Sequence, residues 1–309
     1  MATLRPANHT GPPEASPSPP PPHDEQSPPP LMTGRKTFGC VGFDDTNLIR
    51  FNNIPVEHAE SVSVALRDVW PPPVLLLRMG QGRSQITLCG NPWAYSCNGS
   101  NDARRLFLIV LKALFYCGWM IPHTVNVTRK ARRSRGKYNA LILEKQPTST
   151  QEYDWICISF DRSSIRSRIS DKLKMVYLPP GNPPVNPATP VDPPDDLLTA
   201  IRREFETHMD GDTVENGCFK AHFTSQPWST VDIGLAILDT RDKLLALMRV
   251  LDECGFLLYV SHQLERKHAA DLMVFRRCTS VRQPASAPSN APSSATLSVK
   301  SATPLLLRD

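Results

Sequence analysis

The hydrophobic residues between positions 102 and 117 recur at the spacing of an α-helix. Leu108 and Phe115 add apolar side chains on the opposite side, so we expect a helix that is buried nearly all round. Asp102 stands where it can cap the first turn, and Gly118 stands where a left-handed residue can end the helix. This pattern predicts one central helix that contacts other elements on both sides.

Shorter apolar runs predict β-strands, and three further segments with helical spacing predict helices. The predicted strands are 38–43, 85–89, 119–127, 138–143, 155–160, 218–223, 256–262 and 272–275. The further helices are 56–69, 196–208 and 239–254. Val74–Leu77 is a candidate for an extra strand.

The second half of the chain repeats the first. Asp102–Gly118 aligns without a gap on Asp239–Gly255, and six of the seventeen positions are identical, where chance gives about one. The identical pairs are Asp102/Asp239, Arg104/Arg241, Leu108/Leu245, Leu114/Leu251, Cys117/Cys254 and Gly118/Gly255. Two upstream landmarks also recur: Pro92-Trp93 as Pro227-Trp228, and Cys40-x-x-Phe43-Asp44 as Cys157-x-x-Phe160-Asp161.

The offset between the copies grows along the chain, from 117 at the Cys–Phe–Asp landmark to 135 at Pro–Trp and 137 at Cys–Gly. A proline-rich insertion at 179–194 accounts for most of this growth. We therefore predict two duplicated units, 38–146 and 153–278. Each is expected to run strand, helix, strand, Pro–Trp turn, helix and β-hairpin, which is an α+β arrangement with helices on one sheet face. We expect the units to pack with pseudo-twofold symmetry.

The motifs Gly90-Asn-Pro-Trp93, Asp102-x-Arg104, Cys117-Gly-Trp119 and Asp154-Trp-Ile-x-Ile-Ser-Phe-Asp161 resemble a family of uncharacterised fungal proteins. Members carry a Pro-Trp, helix, Gly-Trp module, usually twice, and the resemblance covers about residues 40–278. It implies the duplication and the fold, and it implies that no enzyme signature is expected. The basic segment 129–137 departs from the family, whose members usually have a shorter turn of mixed charge there.

Composition separates the ends of the chain from these units. Of the 31 prolines, eleven lie within residues 1–30 and eight within 179–194. Segments such as 1–36 and the Ser/Ala/Pro-rich tail 279–309 bury too little apolar area to fold, so we predict disorder. Prolines in 12–30 favour polyproline II and docking to SH3- or WW-type domains, with a simple spacer as the alternative.

Cysteine usage and hydropathy indicate the compartment. The eight cysteines form no C-x-x-C pair, and several lie in apolar runs, so we expect reduced and mostly buried thiols. The N-terminus lacks a secretory signal pattern, and no apolar run reaches the ~18 residues that span a membrane. We therefore expect a cytoplasmic or nuclear protein that is neither secreted nor bound to a membrane.

The net charge of +5 conceals one basic turn. Six cations fall between two predicted strands: Arg129, Lys130, Arg132, Arg133, Arg135 and Lys137. Three functions fit this turn besides a solvated loop: a phosphate contact for nucleic acid, a nuclear localisation signal, and a switch controlled by phosphorylation of Ser134. Arg266-Lys267-His268 occupies the matching turn of the second unit, but no aromatic RNA-binding stripe accompanies either turn.

Trp93 and Trp228 follow the two prolines of the landmark dipeptides. A tryptophan at such a turn can anchor a binding partner, yet duplicated apolar anchors usually belong to the core. We favour the structural interpretation for both.

The sequence contains no Walker loop, G-x-G-x-x-G, cysteine-pair zinc site or nucleophile elbow. We therefore predict no catalytic residue, metal or cofactor. The leading hypothesis is a non-enzymatic intracellular protein that binds another macromolecule. We favour a protein as that partner. The alternative is a sequence-tolerant nucleic-acid binder that uses residues 129–137, and an unrecognised enzyme is the third hypothesis.

Replacing Arg132, Arg133 and Arg135 together by Glu tests the role of the basic turn. If the turn contacts a polyanion or directs nuclear entry, the variant loses that binding or that localisation while its melting temperature is unchanged. A salt titration distinguishes nucleic-acid binding from the other functions of the turn. Contact with several phosphates makes binding fall steeply with the logarithm of salt concentration. Unchanged partners and unchanged localisation would remove the turn from consideration.

Overall fold

The computed structural model describes residues 35–93, 101–122, 139–162, 170–181, 190–224, 228, 235–262 and 272–279. Most of the two segments predicted to be disordered, 1–36 and 279–309, lies outside these ranges. The middle of the proline-rich insertion and the whole basic turn also lie outside them.

The first unit, repeat 1 (38–146), follows the order β-β-α-β-β-α-β-β. Its elements are β1 (Phe38–Asp44), β2 (Leu48–Asn52), α1 (Val56–Arg67), β3 (Val74–Gly80), β4 (Arg83–Leu88), α2 (Asn101–Tyr116), β5 (Trp119–Met120) and β6 (Asn139–Lys145).

The second unit, repeat 2 (153–278), has the same order. Its elements are β7 (Tyr153–Arg162), β8 (Ser170–Leu178), α3 (Asp195–Phe205), β9 (Met209–Glu215), β10 (Cys218–Phe223), α4 (Leu235–Glu253), β11 (Leu257–His262) and β12 (Leu272–Cys278).

Each repeat forms its own antiparallel sheet, and the two sheets correspond strand by strand. The first sheet has the order β3-β4-β2-β1-β6-β5, and the second has the order β9-β10-β8-β7-β12-β11. Cys40 lies opposite Asn52 and Ile142, while Cys157 lies opposite the matching positions of β8 and β12. The predicted duplication and α+β class are therefore confirmed.

The unit contains more strands than its sequence pattern predicts. The additional strands are β2, β8 and β9, and the candidate extra strand at Val74–Leu77 extends to Gly80 as β3. β2 is only five residues long, and β9 is a polar edge strand, so neither gives an apolar run long enough to predict a strand. Helix α4 also begins at Leu235, earlier than the predicted Asp239.

Glycines end the two long helices in the left-handed conformation, at φ 78° for Gly118 and 79° for Gly255. A side chain at Gly118 would also collide with the chain, since a Cβ there would lie 2.5 Å from the carbonyl oxygen of Gln146. This tight reversal directs the chain from α2 straight into β5.

Two hydrophobic cores hold the molecule together, and the second sheet belongs to both. The first core joins the inner face of the first sheet, helices α1 and α2, and one face of the second sheet. The second core joins the opposite face of the second sheet to α3 and α4. The layers therefore follow the order sheet, helices, sheet, helices.

This stacking differs from the pseudo-twofold packing that the duplication suggested. A twofold axis would place equivalent elements of the two repeats in equivalent contacts. Instead, α2 packs on β7 and β8 of repeat 2, while Leu245 of α4 is 66% exposed. The reason lies in the two helices: α2 is apolar on both sides, whereas α4 carries polar residues on one side.

A network of charged side chains connects the last strand of repeat 2 with β7, α3 and the end of α4. The Arg277 guanidinium donates to the carboxylates of Asp154 (3.0 Å) and Asp196 (2.7 Å). It also donates to the carbonyl oxygen of Cys254, near the end of α4 (3.2 Å). Tyr177 donates its hydroxyl to Asp154 at 2.6 Å. Asp154 is 0% exposed, so these donors replace the water that its charge has lost.

Repeat 1 uses a lysine in the same place. Lys145 donates to the carbonyl oxygen of Cys117 at the end of α2 and lies over the Trp119 ring at 5.7 Å. Arg277 likewise lies over the Phe256 ring at 4.5 Å. A cation from the last strand therefore stabilises the negative end of the preceding helix in both repeats.

Replacing Arg277 by Met should destabilise the protein by about 3–5 kcal/mol, because it removes the cationic partner of a carboxylate, Asp154, that is 0% exposed. Urea denaturation measures the loss. Arg78→Met is the matched control: its partner is Glu60 and its side chain is 69% exposed, so we expect a cost of about 1 kcal/mol or less. Equal costs for the two variants would contradict the stabilising role of the network.

Candidate functional site

Polar contacts fix helix α2 on the second sheet. Arg104 donates through Nε to the Ser159 hydroxyl at 2.6 Å, and Lys112 donates through Nζ to the carbonyl oxygen of Pro179 at 2.6 Å. The two side chains are only 5% and 3% exposed. Both cations lie on the same side of α2, so the helix is held at two points along its length.

An aromatic cluster holds the C-terminal end of α2. Phe115 contacts Trp155 edge to face at a ring distance of 5.4 Å and Tyr259 at 6.1 Å. The Arg276 guanidinium lies 4.6 Å from the centre of the Phe115 ring. Burial raises the pKa of Tyr259 to about 12. Together these contacts add directional packing to the apolar burial between the repeats.

A second contact between the repeats surrounds His262. Its ring stacks on Phe107 at 5.4 Å and lies 6.2 Å from Phe43, which in turn packs edge to face on Trp93 at 5.4 Å. Burial lowers the pKa of His262 to about 4, so the imidazole is neutral at pH 7. His262 Nε2 and Trp93 Nε1 have no hydrogen-bond partner among the described residues.

The face of the first sheet that points away from α1 and α2 is here called the outer face. Its centre is polar: the Arg50 guanidinium donates to Asp44 and to the side-chain oxygen of Gln85, both at 3.1 Å. Burial raises the pKa of Asp44, and the nearby Arg50 opposes this effect. The ion pair fixes a charged spot near the middle of the sheet.

Apolar side chains surround that polar centre. Leu75, Leu77 and Met79 alternate along the edge strand β3 and are 58%, 56% and 56% exposed. Phe38 at the start of β1 is 46% exposed. A row of exposed apolar residues on an edge strand is a template for association, which monomeric proteins normally avoid.

Comparison with repeat 2 shows what the outer face lacks. Phe38 corresponds to Trp155, which lies 117 positions later and is 0% exposed beneath α2. The outer face is therefore the equivalent of the sheet face that α2 covers in repeat 2. The row on β3 belongs to repeat 1 alone, since its positions opposite β4 correspond to Gly211 and Thr213 on β9.

The structure describes only some of the residues that the sequence singled out. Trp93 and Trp228 are both 8% exposed and lie in the first and second cores. Trp228 contacts Phe160 at a ring distance of 4.3 Å. The basic turn 129–137, with Ser134, and the proline-rich segment 12–30 lie outside the described residues.

Sequence reasoning missed the outer face. The run Val-Leu-Leu-Leu-Arg-Met at 74–79 reads as a strand with apolar residues on both sides, which usually indicates a strand covered on both faces. The signal that could have exposed it is the comparison of the copies, because the matching strand β9 is polar.

Comparison with known families supports the duplication. One domain-family model matches the chain twice, over residues 37–143 and 154–276. The chain belongs to this domain family. The two matches of the family coincide with repeats 1 and 2, so the duplicated module is confirmed, while the resemblance to fungal members stays a prediction. No curated protein and no solved structure gives a significant match. Among the described helices, none is both long enough and apolar enough to cross a membrane.

Lys112 should give the helix–sheet interface a measurable pH dependence. Burial lowers its pKa from 10.5 to about 8. Between these values the unfolded chain still binds the proton that the folded chain has released, so the free energy of unfolding rises with pH. Lys112→Met removes this contribution. The wild-type value minus the variant value, from urea denaturation, should therefore increase from pH 8 to pH 10.5.

Lys220→Met provides the control for this experiment. Lys220 pairs with Glu215 at 2.6 Å, and this hydrogen bond raises the pKa of the lysine. The difference between the wild type and the control should not rise between pH 8 and 10.5. A flat difference for Lys112→Met would show that its ammonium group is hydrated.

Proposed function

We propose that this protein is a non-enzymatic interaction protein that binds another macromolecule through the outer face of its first sheet. The observation that carries the proposal is the exposed row Leu75, Leu77 and Met79 together with Phe38. These four side chains lie on a sheet face whose counterpart in repeat 2 is covered by a helix.

Energetics support the use of this face. Each of the four side chains is about half exposed, so burial against a partner contributes about 1 kcal/mol apiece. The fixed Arg50–Asp44 pair at the centre adds orientation, because charges in an interface select register and partner more than they add affinity. An apolar margin around a polar centre is therefore suited to specific binding.

The proposed compartment is the cytoplasm or the nucleus. The seven cysteines that the structure describes are all free thiols. Partial or complete burial raises the pKa of Cys40, Cys117, Cys218 and Cys254, which favours the neutral and less reactive form of these thiols. These properties support a reducing environment and structural roles for these side chains.

The double variant Leu75→Ser and Leu77→Ser tests the proposal. Full-length tagged wild type and variant are expressed in the source cells, and proteins that co-purify are quantified by mass spectrometry. Loss of two apolar contacts should reduce recovery of the true partner by about tenfold or more. Thermal unfolding should be unchanged, because both side chains are exposed in the folded protein.

Val64→Ser is the matched control. Val64 is 51% exposed on α1, away from the outer face, so its variant should keep every partner. An identical partner profile for all three proteins would disprove the proposal. Loss of a partner only in the Arg132, Arg133 and Arg135 variant would move the binding function to the basic turn.

A further inference from the structure

One side of helix α4 is exposed in the part of the chain that the structure describes. Here it is called the helix stripe, and it consists of Leu238, Arg241, Leu245, Arg249 and Asp252. These residues recur every three to four positions and are all exposed, with Leu238 at 52% and Leu245 at 66%.

The helix stripe corresponds to the side of α2 that binds the second sheet. At the offset of 137, Arg241 corresponds to Arg104, and Leu245 corresponds to Leu108. In repeat 1 the arginine bonds to Ser159 on β7, and Leu108 is 0% exposed. Two residues that serve the contact between the repeats are therefore present unchanged on a side of α4 over which no described element packs.

Among the described residues, the chain thus presents both halves of its own internal interface at opposite ends of the stack, and no described element covers either half. Repeat 1 ends in the outer face, which is equivalent to the sheet face that α2 covers. Repeat 2 ends in the helix stripe, which is equivalent to the side of α2 that covers it. The internal contact joins unlike surfaces, so it can be repeated between molecules without any change of geometry.

We propose that the occupant of the outer face is helix α4 of a second copy of this chain, so that copies stack head to tail. The inference rests on the proposed function, since it names the partner of that same face. The second copy continues the internal order of layers, with its α4 lying over β1 and β2 as α2 lies over β7 and β8.

Charges on the two surfaces match in this arrangement. Arg104 meets Ser159 inside the chain, and the corresponding Arg241 would meet Gly42, which corresponds to Ser159. A carboxylate oxygen of Asp44 lies 3.2 Å from where a Cβ on Gly42 would stand. The acceptor lost with the serine hydroxyl is therefore replaced by an adjacent carboxylate oxygen, which Arg241 would share with Arg50.

A second pair of positions also differs between the internal contact and the contact between copies. Inside the chain Phe115 packs on Tyr153 at a ring distance of 5.2 Å. Between copies these positions are Asp252 and Lys36, whose side chain is 66% exposed and pairs with Glu144 at 2.9 Å within the chain. An aromatic contact is thus exchanged for an ion pair, which contributes less. The contact between copies is accordingly weaker than the internal one and depends on protein concentration.

Sedimentation equilibrium of the full chain tests the arrangement. The average mass of the wild type should rise with concentration and pass the dimer without a plateau, because each added copy offers a new open face. Leu245→Glu blocks the helix stripe, and Phe38→Glu blocks the outer face. Each variant alone should self-associate at least about tenfold more weakly than the wild type. Their equimolar mixture should form a heterodimer and stop there.

Val64→Glu, outside both surfaces, should assemble like the wild type. Three results would overturn the inference. A wild type that stays monomeric at every concentration is the first. A Leu245→Glu variant that dimerises as strongly as the wild type, as in a contact between two outer faces, is the second. The third is an equimolar mixture of the two blocked variants in which no heterodimer forms.

These outcomes separate the inference from the proposed function. If the wild type is monomeric but the Leu75→Ser and Leu77→Ser variant still loses a partner in cells, the outer face binds a different macromolecule. If that variant also keeps its full partner profile, both the self-association and the proposed binding through the outer face are disproved.

Discussion

The contact between α2 and the second sheet determines how the two repeats are arranged. It buries a helix that is apolar on both sides, which removes that apolar surface from water on two faces at once. It also buries two cations, Arg104 and Lys112, and both donate to oxygen atoms of repeat 2. Apolar burial drives this contact, and the paired cations fix its position, because an unpaired charge there would be costly.

The same contact explains how two copies of one module differ. Repeat 1 keeps a helix that is buried on two sides and a sheet with one face that no described helix covers, while repeat 2 keeps a sheet buried on both faces and a helix with one exposed side. Features that serve each repeat by itself are retained in both, such as the cation from the last strand that binds the end of the preceding helix. Position in the stack, rather than fold, distinguishes the copies.

Much of the fold could be predicted from the sequence because its signals are local. The Pro–Trp and Cys–Gly landmarks revealed the duplication, and helical spacing located the central helix. Strands β2 and β9 were missed because one is very short and the other is a polar edge strand. The basic turn and the phosphorylation interpretation of Ser134 stay predictions.

The predicted pseudo-twofold packing is wrong, because duplication of a module does not require its two copies to make equivalent contacts. The sequence does hold the correcting signal: Phe115 of α2 is replaced by Asp252 on α4, so the two helices cannot bury the same side. The outer face has no comparable local signal in the sequence. Exposure of Leu75 and Leu77 depends on what covers the sheet, which is a long-range property that no window of sequence contains.

Burial of the second sheet on both faces bears on how the chain can be divided. Cutting between the repeats would expose Trp155 and Cys157 on one fragment and Phe115 on the other. All three side chains are fully or almost fully buried in the intact chain. Each fragment would therefore be prone to aggregation, although each has a complete topology. The family's repeated module thus constitutes one evolutionary unit but only half of a cooperative folding unit, and the pair should melt in a single calorimetric transition.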